Sequence, residues 1–293
     1  MQLLEYALVG GVLYGLFFSL VGIGLNVVFG VLRMINLAHG QFIVLGGFGA
    51  WLLYQDLHLN PIFGVVLAVL GAVAVGIPLY WAVVPRLQQS RDPEMLSFIL
   101  FFGLAQMIDA GALLAFGASE RSIPNGTLGA GSLGILGQAF PDSWWVAATV
   151  SVLAILGLYL FLSRTRLGYA TRAVMANRAE ALASGIDVDQ VSVLAFVIGL
   201  ALAGIAGVFV PFLLGSVSPS LGDALTTTSF AVIIIGSLGR PLGTVVGGLV
   251  FGLGTMLMET YFSSWSSLVP YALLVIIVLV RPAGLLGRAV REA

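Results

Sequence analysis

Residues 164–191 read RTRLGYATRAVMANRAEALASGIDVDQV. This is the longest polar stretch in a chain that is otherwise mostly apolar, and its flanks decide the fold. Hydrophobic runs at 143–163 and 191–214 border it, each close to the roughly 20 apolar residues a bilayer core asks of a helix. The stretch carries Arg164, Arg166, Arg172 and Arg178, four of the twelve basic residues. Within it, Ala176–Ser184 has a short helical pattern closed by Gly185. The whole chain of 293 residues is 59% hydrophobic and 9% charged, with mean hydropathy +1.09. A soluble domain carries about 25% charged residues. The composition predicts an all-α polytopic membrane protein.

Nine hydrophobic passes can be counted, at about 6–31, 38–55, 61–84, 95–116, 143–163, 191–214, 227–239, 242–260 and 267–280. The seventh is short and is separated from the eighth only by Leu238-Gly239-Arg240-Pro241, so the pair reads as one interrupted segment or a re-entrant element. The expectation is about 8–10 transmembrane helices in one membrane domain over 1–293, with a cytoplasmic loop at 164–190. The N-terminal stretch reads as the first span and not as a cleavable signal, because Glu5 stands where a signal carries positive charge. Orientation follows from the arginines. With the N-terminus outside and the C-terminus inside, Arg33, Arg86, Arg91, the 164–178 group, Arg240, Arg281, Arg288 and Arg291 all face the cytoplasm. Only Arg121 remains outside. The outer segment Gly117–Ser143 is long, Gly/Pro-punctuated and expected to hold a small amphipathic piece.

Several chemistries are excluded by what is missing. There is no cysteine, hence no disulfide and no thiolate. There is no lysine, so the chain cannot supply a P-loop of its own. Only two histidines occur, His39 and His58, with no cluster of metal ligands around them. No nucleophile is set for catalysis. The chain itself is read as no enzyme, without a metal or cofactor of its own and without nucleic acid as a partner.

Polar residues inside or beside the passes are the candidates for function. Asn36, His39 and Gln41 border the second pass; they form either a capped helix start or a gate. Asn26 lies within the first pass, with helix–helix hydrogen bonding and substrate contact as its two readings. Gln106 and Asp109 lie one turn apart in the fourth pass, and an intramembrane carboxylate is a functional hypothesis by default. Segments 30–50 and 236–254 echo each other: an arginine, a break, then a Gly-rich helix. Paired broken segments in two halves point to a transport pathway built from discontinuous helices. Small-xxx-small pairs recur, and the eighth pass carries two, Gly243/Gly247 and Gly248/Gly252. Their adjacent registers predict packing on two sides.

The chain resembles the LivH-type permease subunits of branched-chain amino-acid ABC importers. The resemblance rests on three motifs in order. The first is Gly24-Leu25-Asn26 with Phe29-Gly30, then Ile35-Asn36-Leu37-Ala38-His39-Gly40. The second is Thr165-Arg166-Leu167-Gly168, Arg172-Ala173, Asn177, Glu180-Ala181 and Gly185-Ile186. The third is Phe230, Gly236 to Gly248, and Arg281-Pro282-Ala283-Gly284-Leu285-Leu286-Gly287. One departure is Ser237, where a glycine is expected.

The resemblance implies a partner set: a second permease subunit of the LivM type, two cytoplasmic ATPases that bind ATP and Mg, and a periplasmic binding protein, all at the bacterial inner membrane. It also implies that Arg172, Ala176, Asn177, Glu180, Ala181 and Gly185 belong to a coupling helix that docks on an ATPase. Branched-chain amino acids are the expected substrates. Urea, amides or other small polar or aromatic acids are the alternative on the same scaffold, and a stand-alone secondary carrier is the alternative of another class.

Overall fold

The computed structural model describes residues 2–135 and 137–287. The polar stretch and its flanks set the pattern seen throughout: long apolar helices joined by short polar elements. Helix α1 (Gln2–Leu32) is the axis of the bundle and is buried along most of its length. Around it stand α2 (His39–Gln55), α3 (Gly64–Gln88), α4 (Pro93–Phe116), α5 (Asp142–Arg164), α8 (Val188–Leu213), α9 (Leu221–Gly236), α10 (Pro241–Tyr261) and α11 (Val269–Val280). Two short helices, α6 (Arg166–Ala176) and α7 (Arg178–Ala183), fill the polar stretch.

Among the described residues, nine helices are thus largely apolar. Six of the membrane segments are long and apolar enough to cross a bilayer alone. The others, α2, α9 and α11, have 17, 16 and 12 residues, short of the roughly 20 a full span needs. These are the discontinuous helices, and they occur in both halves of the chain.

Small residues set the packing. Helix α10 runs along α1, and a Cβ added at Gly248 or Gly252 would collide with the α1 backbone at Ser19 or Gly15. On the other register, Gly243 and Gly247 meet the backbone of α9 at Gly236 and Val232. The two adjacent glycine registers therefore serve two different neighbours, as their spacing predicts. Helix α8 presses on α2 in the same way, with Gly207 against the Ile43 carbonyl.

Two local expectations, the seventh pass and the outer segment, are corrected. The seventh pass begins at Leu221, six residues before 227, and ends at Gly236; residues 237–240 are a turn to a separate α10. Asp223 sits in the first turn of α9, where a negative charge complements the helix dipole. The outer segment forms a 3-10 turn at Asn125–Leu128 and a hairpin, β1 (Ser132–Ile135) with β2 (Gln138–Pro141), instead of an amphipathic helix. The 164–190 segment is mostly helical, with α5 running through Arg164 and α8 starting at Val188.

The arginines separate by end. Arg33, Arg172 and Arg240 border one cavity, and Arg178 reaches Gln88 in the last turn of α3. Arg121 lies at the opposite end, over the Trp51 ring and bridged to Val217. Arg288 and Arg291 lie outside the described residues.

Candidate functional site

The polar stretch builds a protruding element at the arginine end. Thr165 caps α6 by accepting from the Gly168 N–H at 2.9 Å. Asn177 ends α6 and starts α7. Its Oδ1 accepts from the Ala179 and Glu180 N–H groups at 3.0 and 3.3 Å, and its Nδ2 donates to Glu180 Oε1 at 2.6 Å. This reciprocal pairing satisfies backbone donors that a helix start leaves open. Gly185 closes α7 with φ +80°. The Ile186 N–H donates to the Ala181 carbonyl at 3.1 Å and the Gly185 N–H to Leu182 at 3.0 Å, the pair of bonds that ends a helix at a left-handed residue.

Of the residues in this element, Ala181 is buried, while Ala176, Asn177, Glu180 and Gly185 are exposed. Arg172 is exposed, with its guanidinium 4.9 Å from the Tyr169 ring centroid. Two further residues were missed in the sequence. Leu182 is 65% exposed on α7, beyond the apolar spans; a large apolar residue inside a capped, polar six-residue helix was the available signal. Arg178 donates to Gln88 Oε1 at 2.9 Å and to Ser192 Oγ at 3.4 Å. It thereby fastens α7 to the ends of α3 and α8, which no local pattern could reveal.

The polar residues of the spans fall into three separate settings. Asn26 is fully buried and holds the turn between α9 and α10. Its Nδ2 donates to the Ser237 and Arg240 carbonyls at 3.0 and 3.2 Å and to Thr244 Oγ1, while its Oδ1 accepts from the Gly239 N–H at 2.6 Å. The chain after α11 packs on the same turn. Leu285 and Leu286 donate to the Ile235 and Gly236 carbonyls at 2.8 and 3.2 Å, and Arg240 donates to the Leu286 carbonyl at 2.6 Å. The first and third motifs of the sequence thus form one structure.

Asn36, His39 and Gln41 are also buried, in a closed seam where the start of α2 meets the start of α9. His39 Nε2 lies 2.9 Å from the Val21 carbonyl, and Asn36 Oδ1 accepts from the Ala38 N–H at 3.1 Å. Thr226 of α9 accepts from the Gly40 N–H at 3.0 Å and donates to the Leu37 carbonyl at 3.1 Å. Both amide atoms of Gln41 face Gly222 with no hydrogen-bond partner among the described residues. The seam joins the two half-helices tightly; a Cβ at Gly40 or Gly222 has no room.

Gln106 and Asp109 differ from both groups. Gln106 is exposed on α4, and Asp109 is half-buried with Oδ1 unpartnered among the described residues. A Cβ at Gly103 or Gly111 would meet nothing, so the side of α4 that carries these glycines stands open, while Asp109 lies on a different side of the helix. Among the described residues, no group of three His, Asp or Glu side chains could hold a metal ion.

The family profile described as "Branched-chain amino acid transport system / permease component" matches residues 7–278. The chain belongs to this family. The permease is 29% identical over 288 residues to the high-affinity branched-chain amino acid transport system permease protein LivH of Salmonella typhimurium, covering 95% of this chain and 94% of that one. It is 28% identical over 291 residues to the corresponding permease protein BraD of Pseudomonas aeruginosa, covering 96% and 95%. A ribose import permease protein RbsC of Haemophilus influenzae is 25% identical over 196 residues, covering 64% of this chain and 58% of the relative. No solved structure matches the permease. It is a multi-pass membrane protein and a transport-system permease component.

Proposed function

We propose that the permease forms one half of the translocation pathway of an ATP-driven importer for branched-chain amino acids. The other half is a second permease subunit of the LivM type, and a periplasmic binding protein delivers the substrate. Two cytoplasmic ATPases bind ATP and Mg; this chain brings no P-loop, having no lysine. The arginine end faces the cytoplasm of a bacterial inner membrane, as the positive-inside rule requires.

The observation that carries this reading is α7: a six-residue helix capped at both ends, held by Arg178 to α3 and α8, and presenting Leu182 away from the bundle. A rigid knob on two spanning helices is what a transmitter of force needs. In this reading Asn177, Glu180 and Gly185 shape the knob, Ala181 seats it, and Arg172 and Ala176 join it to the cavity at the inner ends of α1, α5 and α10. ATPase closure pulls α7 and, through Arg178, the ends of α3 and α8. The seam of Asn36, His39 and Gln41 is the gate that separates when α2 and α9 part. Gln106 and Asp109 line the pathway, because an exposed amide and a carboxylate with an unmet oxygen are costly against lipid and favour polar surroundings.

The substrate class follows from the family description and from the LivH and BraD relatives. A second reading, the same scaffold importing urea, amides or other small polar or aromatic acids, is favoured by the ribose import permease, which shares much of the chain with a different solute. The test is reconstitution with co-purified partners and a panel of aliphatic amino acids, urea and amides, scored by stimulation of ATP hydrolysis. Stimulation by leucine, isoleucine or valine supports the reading. A response confined to another class moves the substrate, and a chain that transports without any ATPase subunit replaces the importer by a secondary carrier.

A further inference from the structure

A cavity of about 720 Å³ opens at the arginine end between α1, α5, α6 and α10. Its polar rim carries Arg33, Arg172 and Arg240, and among the described residues its lining includes no acidic side chain. All three arginines are exposed. A guanidinium has five N–H donors. Arg33 uses its side chain for one bond among the described residues, to the Met175 carbonyl at 3.1 Å, and Arg240 for one, to the Leu286 carbonyl. Among the described residues the other N–H groups of these two side chains meet no acceptor.

The cavity does not stay polar. It extends along α1 from Arg33 to Ile23, ten positions that correspond to about 15 Å of helix rise. Ile155 and Tyr159, one turn apart on α5, and Leu242 on α10 form an apolar wall. Tyr159 and Leu242 are 47% and 59% exposed, so this wall is continuous with the apolar outer surface of the bundle. A site with three cationic forks at its mouth and an apolar shaft open to the side matches an amphiphilic anion. It does not match a soluble one, which would leave the shaft unused.

We infer that this cavity binds an anionic phospholipid from the inner leaflet, with the phosphate held by Arg33, Arg172 and Arg240 and an acyl chain along Ile155, Tyr159 and Leu242. Basic pockets between spanning helices on the cytoplasmic side suit such headgroups. The three arginines come from the end of α1, from α6 and from the α9–α10 turn. One phosphate therefore ties the coupling segment to the core axis, independently of which solute is carried.

The test is native mass spectrometry of the full-length permease in its purified complex, exchanged into phosphatidylglycerol, cardiolipin or phosphatidylcholine. The expected result is retention of one phosphatidylglycerol or cardiolipin per permease and weak retention of phosphatidylcholine. Removing each arginine charge should lower retention about fivefold, so Arg33→Gln with Arg240→Gln gives a compound loss. The pair Arg33→Lys with Arg240→Lys keeps most of the binding, and Arg91→Gln, away from the cavity, leaves it unchanged. Equal retention of all three lipids, or unchanged retention in the double glutamine variant, overturns the inference. Displacement of the lipid by millimolar glycerol phosphate would make this a free-anion site. A cysteine at position 159 that cross-links to the second permease subunit would make it a protein interface; either result also overturns it.

Discussion

Gly239 donates its backbone N–H to Oδ1 of Asn26 at 2.6 Å, across 213 positions of sequence. Asn26 is fully buried and uses both ends of its amide on the turn at 237–240. It thus supplies partners for the break between α9 and α10 on the side of the turn that faces the bundle. Asn26→Ala leaves the buried Ser237 carbonyl and the part-buried Gly239 N–H without this partner, and a buried group left unmet costs about 1–3 kcal/mol. The variant should unfold at clearly lower temperature or denaturant in a fixed detergent, while still inserting. An unchanged midpoint would remove Asn26 from this role.

Ser237 adjoins that turn with φ +140°, a region where only glycine is at ease. The motif expects glycine here, and the backbone gives the physical reason. Ser237→Gly should stabilise the permease by roughly 1 kcal/mol, the order of such backbone strain. Equilibrium unfolding in detergent measures it; a lower midpoint would show that the Ser237 side chain matters more than the strain.

Glycines on the two sides of the bundle should respond differently. A Cβ at Gly207 collides with the Ile43 carbonyl, whereas one at Gly111 meets nothing. Gly207→Ala should cost about 1–3 kcal/mol through overpacking of α8 on α2, and Gly111→Ala should leave the stability of the isolated chain nearly unchanged. Size-exclusion profiles and thermal unfolding of both variants provide the comparison.

Arg178 joins α7 to Gln88 and Ser192. Arg178→Gln should loosen that joint without removing α7 from the surface. In the reconstituted importer, substrate-stimulated ATP hydrolysis should fall about tenfold while the subunits still co-purify, the order expected when a well-placed Arg contact is truncated. Loss of assembly instead of coupling would assign Arg178 to docking.

The spans and the end of α7 were readable because their signals are local. Apolar runs mark α1, α5 and α8 directly, and the paired glycines of α10 announced two packing faces. Gly185 marked the end of α7. The start of α9 was hidden because Asp223 and Thr226 read as loop, although Thr226 is spent inside the bundle on Gly40 and Leu37. Asn36, His39 and Gln41 looked like Asn26 and Gln106 in the sequence. All but Gln106 are buried, and what buries them depends on partners near position 222 and beyond, which spacing does not encode. For the same reason Arg178 passed as a topology marker, and the meeting of Arg33, Arg172 and Arg240 around one cavity had no local signature.

In the proposed importer α7 meets an ATPase in the cytoplasm, and the absence of cysteine from the sequence opens this contact to a direct test. Leu182→Cys is then the only thiol in the permease. With the complex assembled in membranes, a short thiol-to-amine or photo-activated cross-linker at position 182 should join the permease to an ATP-binding subunit. A cysteine placed at Leu133 in the outer hairpin should not give that product. Labelling of position 182 from the periplasmic side, or an assembled, active complex with no adduct to any ATPase, would contradict the account.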